Sequence, residues 1–469
     1  GLISVTSGTL SLQGTFTQAD IAAPGRLSRT GGAVNLDTTL NLGGGTLDIG
    51  SATFGVGGLS SVNGVLKNGT IISGDGTVLK FADSRQNLNG ITIGSNLTVQ
   101  GQAWVWGGLT LADGVTVNKG SYNWYFNGYE SQLPAGTVHR LSSLGSSVLN
   151  STGGNVFIYA SNGQTLQIDS GITIQGYVGV VQNWSGNSII NAGTLDATVP
   201  GQWLSVSASN FTNASTGVLK ASGGLLAISG TWCNQGLISM TAGSLSLQGT
   251  FTLADITGAG RLSRTGGTVS LDTTLNLGGG TLDIGSATFG VGGLSLVTGV
   301  LKNGTVISGD GTTLKLSDNR QNLNGITIGS NLTLQGQAWV WGGLTLADGV
   351  TLDKGAYNLL FNGQDSGQAS TTVHHLASLG SSVVKSSGGS INIYAANGQT
   401  LQIDSGVTIQ GYVTLSQNWS SSTLINAGVI EANVPSQWIS IGLNSFINQG
   451  TVKVSGGLLA LGGNWSNAG

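Results

Sequence analysis

GLISVTSGTLSLQGTF at Gly1–Phe16 returns as GLISMTAGSLSLQGTF at Gly236–Phe251, and GQAWVWGGLTLADGV at Gly101–Val115 returns unchanged at Gly336–Val350. Such self-similarity marks a repeat architecture, and it decides the fold before any single element is read. The copies stay in step through Phe211 and Phe446, beyond which NASTG (Asn213–Gly217) shortens to NQG (Asn448–Gly450). The chain therefore reads as two tandem units, residues 1–235 and 236–469. No Pro-, Ser- or charge-rich linker separates them, so one continuous solenoid is expected.

Within each unit, glycines close short alternating stretches at Gly45, Gly69, Gly90 and Gly114, then at Gly193, Gly217 and Gly236. Asn precedes several of them, as in Asn68-Gly69, Asn191-Ala-Gly193 and Asn234-Gln-Gly236. Both residue types tolerate left-handed backbone angles, which is the expected reason for their place at sharp bends. Between bends, LSLQG (Leu10–Gly14), LTVQG (Leu97–Gly101) and VFIYA (Val156–Ala160) alternate apolar and small polar residues, the pattern of strands with one buried face. Helical periodicity is absent. Three strands per turn of ~22 residues describe an all-β parallel β-helix, with coils ~4.8 Å apart. About ten coils per unit then give ~50 Å per unit and ~100 Å for the pair. The stretch from Gly114 to Gly193 does not phase with the rest.

Composition narrows the function. Of 469 residues, 81 are Gly, only 7% are charged, 39% are hydrophobic, and the formal net charge is −3. A typical soluble domain is about 25% charged. The hydrophobic content excludes charge-driven disorder, four prolines without a glycine period of three exclude collagen, and the neutral balance excludes a basic nucleic-acid binder. One cysteine, Cys233, excludes an internal disulfide; its counterpart is Ser466, and it reads as a small buried side chain. No apolar run reaches the ~18 residues of a membrane-spanning helix. Opening on Gly1, the chain reads as a mature segment or an excerpt of a longer one, cut at one phase of its repeat.

The turns NAGTLDA (Asn191–Ala197), NQGLISM (Asn234–Met240) and NAGVIEA (Asn426–Ala432), with segments such as ASGGLLAISG (Ala221–Gly230), resemble the passenger β-helices of filamentous-haemagglutinin-type secreted adhesins and autotransporters. The resemblance implies a right-handed, three-faced β-helix, export to the cell surface, and adhesion or scaffolding. The partners expected are further copies of the chain, joined end to end or in one longer polypeptide, together with surface glycans or neighbouring cells.

Candidate chemistry is sparse. Asp20, Asp37, Asp48, Asp75, Asp83 and Asp113 recur in the second copy and suit turns, although coil stacking could bring Asp48 and Asp75 together as in polysaccharide-processing β-helices, which need two converging carboxylates. His139, His374 and His375 have no partners at metal-ligand spacing, and no cofactor motif is present. Sequons at Asn68, Asn96, Asn183 and Asn331 are glycan acceptors only if the chain is secreted. Trp104 and Trp106, repeated as Trp339 and Trp341, share one strand face by their two-residue spacing. They pack inward, or they stand outward as a glycan or protein contact. Trp184, Trp203, Trp232 and their counterparts Trp419, Trp438 and Trp465 read as structural, and the replacement of Trp124 and Tyr125 by Leu359 and Leu360 reads as packing. The expected function is a non-enzymatic extracellular rod or fibre; the alternatives are a polysaccharide-processing enzyme or a glycan-binding module.

Overall fold

The computed structural model describes residues 1–82, 85–130, 133–160, 163–395, 398–419 and 421–468. Asp83 and Gly469 lie outside the described residues. The chain is 56% strand and 4% helix, and within each unit the strands stack as the parallel coils of a β-solenoid. Two compact units divide it, Gly1–Leu245 and Ser246–Gly469. That boundary falls after the repeat boundary in the sequence, because the first strand of the second copy, Leu237–Met240, pairs in parallel with Val218–Ala221 of the first.

Alternation places one residue in two inside the coils, and parallel register stacks like upon like. In the first unit Leu97, Val117, Leu149, Ile174, Leu195, Leu219 and Ile238 are successive rungs of one column. All are essentially unexposed. Each such aliphatic side chain contributes roughly 1.5–3 kcal/mol by its removal from water. A second column runs Leu66, Leu88, Val105, Phe126 and Ile158. Bulk is matched between rungs: Trp124 is wholly buried between Ala103 and Val156, whereas in the second unit the smaller Leu359 lies between Ala338 and the larger Ile391. The exchange of Trp124 for Leu359 is thus packing.

The stretch that resists phasing contains a wide coil. Thr110 meets Ser142 across 32 residues, the detour holding the extra strand Trp124–Asn127, and the next coil shortens to the 25 residues between Asn150 and Gln175. Several strands exceed the expected length. Ser147–Tyr159 has 13 residues and turns a corner where its register shifts between Thr152 and Asn155. Gly154 sits there at φ 65°, and a Cβ on it would lie 2.5 Å from the Ser121 carbonyl oxygen.

Among the described residues, four one-turn helices depart from the sequence expectation: Gln18–Ala22 and Ser51–Phe54, with counterparts Ala254–Thr257 and Ser286–Phe289. They are too short to show periodicity. The first is nonetheless signalled by Thr17 and Asp20, whose carboxylate accepts from both the Thr17 N–H and hydroxyl.

The glycine bends have the expected cause at some positions and a different one at others. Asn68, Gly90 and Gly114 do adopt positive φ. Gly193, Gly217 and Gly236 do not; each is glycine because a Cβ would lie 2.1–2.4 Å from a carbonyl oxygen of the coil beneath. The associated asparagines point inward instead. Asn191 Nδ2 donates to Asn213 Oδ1 and Asn213 Nδ2 to Asn234 Oδ1, both at 2.8 Å, and Asn426, Asn448 and Asn467 repeat the ladder at 2.8 and 2.7 Å.

Candidate functional site: an aromatic corner in each unit

Ala103 and Val105 are fully buried, so the alternation of the strand Ala103–Leu111 turns Trp104 and Trp106 outward. Register then builds an outer stack. Trp104 pairs with Tyr125 and Tyr125 with Phe157. Their rings lie parallel at 4.0 Å and 5.0 Å. This stack, with Tyr159 edge-on at 5.1 Å, leaves Trp104 only 5% exposed. Outward placement therefore does not expose the pair: Trp104 is covered, and Trp106 is half-buried with its Nε1 donating to the Arg85 carbonyl at 3.1 Å.

The rings that reach solvent lie beyond it. Trp184 packs on Tyr159 at 4.8 Å and on Tyr129 at 5.1 Å, yet Trp184 is 39% and Tyr129 50% exposed. Arg85 spans the corner: its guanidinium lies 5.8 Å from the Trp104 ring centre and pairs with Glu130. Asn127 ties the turn together, Nδ2 donating to the Arg85 carbonyl at 3.1 Å and to Glu130 at 3.2 Å while Oδ1 accepts from the Glu130 N–H.

The second unit rebuilds this arrangement. Trp339 is 6% exposed, Tyr394 stands edge-on to it at 5.1 Å, and Trp419, 40% exposed, packs on Tyr394 at 4.9 Å. Trp341 Nε1 and Asn362 Nδ2 each donate to the Arg320 carbonyl at 2.8 Å. Arg320 pairs with Asp365, whose hydrogen bond holds the guanidinium more firmly protonated, and it reaches the Tyr394 hydroxyl at 3.1 Å. Leu360, Gln364 and Asn392 replace Tyr125, Tyr129 and Phe157, so the outer stack is lost while the corner survives.

Trp184 and Trp419, read from sequence as structural, are thus the exposed rings of these corners; the available signal was their place in the turn after a long strand, where alternation stops. Trp203 and Trp438 are also exposed, whereas Trp232 is buried.

Asp48 and Asp75 do converge, both around Gly50. Their oxygens serve backbone: Asp48 Oδ1 accepts from the Gly50 and Gly74 N–H groups, and Asp75 accepts from Ser51 and from Thr77. Those bonds from Ser51 and Thr77 hold Asp75 well below the usual carboxylate range, and Ser286 and Thr312 hold Asp310 likewise. Asp113 and Asp348 accept from the N–H of Ser146 and Ser381, and Asp37 is bonded by Ser11 and Asn63.

His139 and His374 are buried, each bonded through Nε2 to Gln164 or Gln399, and burial lowers both pKa values. His375 pairs with Asp404 where the first unit has Arg140 with Asp169. Among the described residues no cluster of three or more His, Cys, Asp or Glu forms a metal-binding group, and no helix is long and apolar enough to cross a membrane. Cys233 is exposed, correcting the expectation that it is buried: Trp232 and Asn234 on either side face inward, so alternation turns it out. Asn96 and Asn331, two of the sequons, accept through Oδ1 from the N–H of Thr116 and Thr351.

Sequence alone gave no sign of Lys119 and Lys354. Each is buried with its ammonium capping two backbone carbonyls, Tyr122 and Gly153 or Tyr357 and Gly388, and burial lowers its pKa to about 8. Comparison with known proteins returned no matching family model, no matching curated protein and no matching solved structure.

Proposed function

We propose that this chain is a length-building segment of a non-enzymatic, extracellular structural repeat protein, akin in architecture to the secreted adhesin β-helices its turns resemble. One observation carries the reading. Within the first unit, the strand that opens the second copy, Leu237–Met240, continues the coil stack on Val218–Ala221 without a break in register, Leu219 on Ile238 and Ala221 on Met240. One copy hands over to the next by the same backbone pairing and apolar column that join coils within a copy, so further copies add by repetition. The acids support this reading, because those at the sharpest turns are engaged in holding backbone N–H groups.

The test follows assembly and location of the native product. Fractionation of the source cells is expected to recover it at the cell surface, with the purified chain forming filaments that lengthen with concentration in electron micrographs. A soluble intracellular product, monomeric by light scattering at every concentration, overturns the proposal.

A further inference from the structure

We infer that each aromatic corner is a binding site for a neutral glycan: Trp184 with Tyr129 and Tyr159 in the first unit, and Trp419 with Tyr394 in the second, offer ring faces to a pyranose while the flanking Arg–carboxylate pair bonds its hydroxyls. This inference goes beyond the structural role proposed above and stands independently of it.

The argument begins with what is left uncovered. The outer stack hides Trp104 to 5% exposure and the corner hides Trp339 to 6%, so these walls bury indoles where structure alone is served. Trp184 and Trp419 remain 39% and 40% exposed, each resting on a tyrosine that fixes its plane. Grouped exposed aromatic surface beside polar groups is the mark of a recognition site. The two copies diverge around this corner yet both keep Trp, Tyr, Trp and Arg with a carboxylate.

The ligand class follows from chemistry. One face of a pyranose presents C–H bonds, an apolar and weakly positive patch that suits the negative face of an aromatic ring. Its hydroxyls both donate and accept, and the rim supplies both roles. Arg85 is 60% exposed at its side chain and paired to Glu130, 24% exposed; Arg320 and Asp365 are 57% and 34% exposed. Because each guanidinium is already balanced by a carboxylate, the corner has no net charge with which to attract an acidic glycan or a phosphate. Neutral hexose polymers match it. The first site is the stronger, since Tyr129 adds a ring where the second unit has Gln364, and Arg320 lies across Tyr394 at 5.3 Å.

The experiment is affinity electrophoresis of the full chain in native gels containing soluble β-1,3-glucan, hydroxyethyl cellulose or galactomannan, with a heparin gel as the acidic arm. At least one neutral polymer is expected to retard the chain. Trp184→Ala is expected to weaken that retardation about tenfold, as truncation of an anchoring aromatic does, Trp419→Ala to weaken it less, and the double variant to abolish it. Trp184→Phe, which keeps a ring, should retain part of the binding, and circular dichroism checks that each variant keeps its strand signal. If an Ala variant loses that signal, Tyr129→Ala, at a half-exposed ring, replaces it. Three results overturn the inference: no retardation by any neutral polymer, retardation unchanged in the double variant, or retardation by heparin alone that disappears with salt.

Discussion

Asn213 is the middle rung of the buried amide ladder, and its replacement by Ala measures what the ladder contributes. The residue is wholly buried, accepts from Asn191 and donates to Asn234, both at 2.8 Å, with a longer bond to the Gly217 carbonyl. Two good hydrogen bonds are lost at about 1 kcal/mol each, and part of the ~1–3 kcal/mol penalty for an unpaired buried group is added. Asn191 Nδ2 keeps weaker bonds to Gly193 and Val218, which limits that penalty. The total is about 2–3 kcal/mol. Asn191→Ala should behave differently. Asn191 stands above Ile168, which has no amide, and its Oδ1 is buried without a partner. Removing it loses one ladder bond and leaves Asn213 Oδ1 without its donor, but it also removes an acceptor already stranded, so the count of unpaired acceptors is unchanged and the net cost is about 1 kcal/mol.

The difference of about 1–2 kcal/mol corresponds to roughly five- to thirtyfold in an opening equilibrium. Repeat proteins open coil by coil, so a global melt blurs the effect. Hydrogen exchange at the amides of Val218–Ala221 and Leu237–Met240 in the full chain reads it directly. Asn448→Ala against Asn426→Ala repeats the comparison, since Asn426 also follows an isoleucine and carries an unpartnered Oδ1. Equal protection losses at Asn191 and Asn213, or none at Asn213, would refute the ladder argument.

Gly217→Ala places a Cβ 2.3 Å from both the Asn191 carbonyl and the Asn213 side chain, so it should separate these coils and open the site to limited proteolysis. Trp124→Ala should cost about 3–5 kcal/mol through its cavity, whereas Trp124→Leu with Val156→Ile, the pair found in the second unit, should recover much of this in thermal melts. Because burial lowers the folded pKa of His139 and His374 below 6.5, the unfolded chain takes up protons first; stability is retained above about pH 6.5 and falls as the pH drops below it, and His139→Phe with His374→Phe should flatten that dependence. The lysines act in the opposite window. With folded values of about 8 against 10.5, Lys119 and Lys354 should each make stability rise between those pH values by about 3 kcal/mol, a slope that Lys→Met removes from denaturant titrations.

The solenoid was legible because its two signals are periodic: apolar alternation, and a repeat long enough to exclude chance. What escaped depends on which coil lies beneath which residue. Gly217 looks like any turn glycine in sequence, yet its identity is set by the carbonyl of Asn191, 26 residues away, and no local pattern reports that distance. Lys119 is one lysine among solvent-facing neighbours until the corner formed by Gly153 wraps its carbonyl around the ammonium. The wide coil between Thr110 and Ser142 hid the phase of the stretch from Gly114 to Gly193, since a stacking offset of 32 residues does not share the period of its neighbours. The tryptophan pair illustrates the same limit. Spacing correctly placed Trp104 and Trp106 on one face but could not show that Tyr125 and Phe157 roof the first of them, because that roof comes from residues 21 and 53 positions on.

The internal duplication itself separates structural constraint from surface freedom. Where a residue faces the interior, substitutions between copies are compensated by volume, as when Trp124 becomes Leu359 while Val156 becomes Ile391. Where it faces outward, chemistry can change without compensation, as when Phe157 becomes Asn392. An outward ring with no interior role can therefore drift, and Tyr125, Tyr129 and Phe157 did. Trp184 and Trp419 did not, although both are about 40% exposed, and the exposed Trp203 and Trp438 are kept as well. Packing against Tyr159 or Tyr394 can account for holding one face of each indole, but not for presenting the other to solvent in both copies. A bound ligand would impose a constraint on the solvent side, and the Trp184→Ala and Trp419→Ala pair tests for it by separating what this protein touches from how it stands.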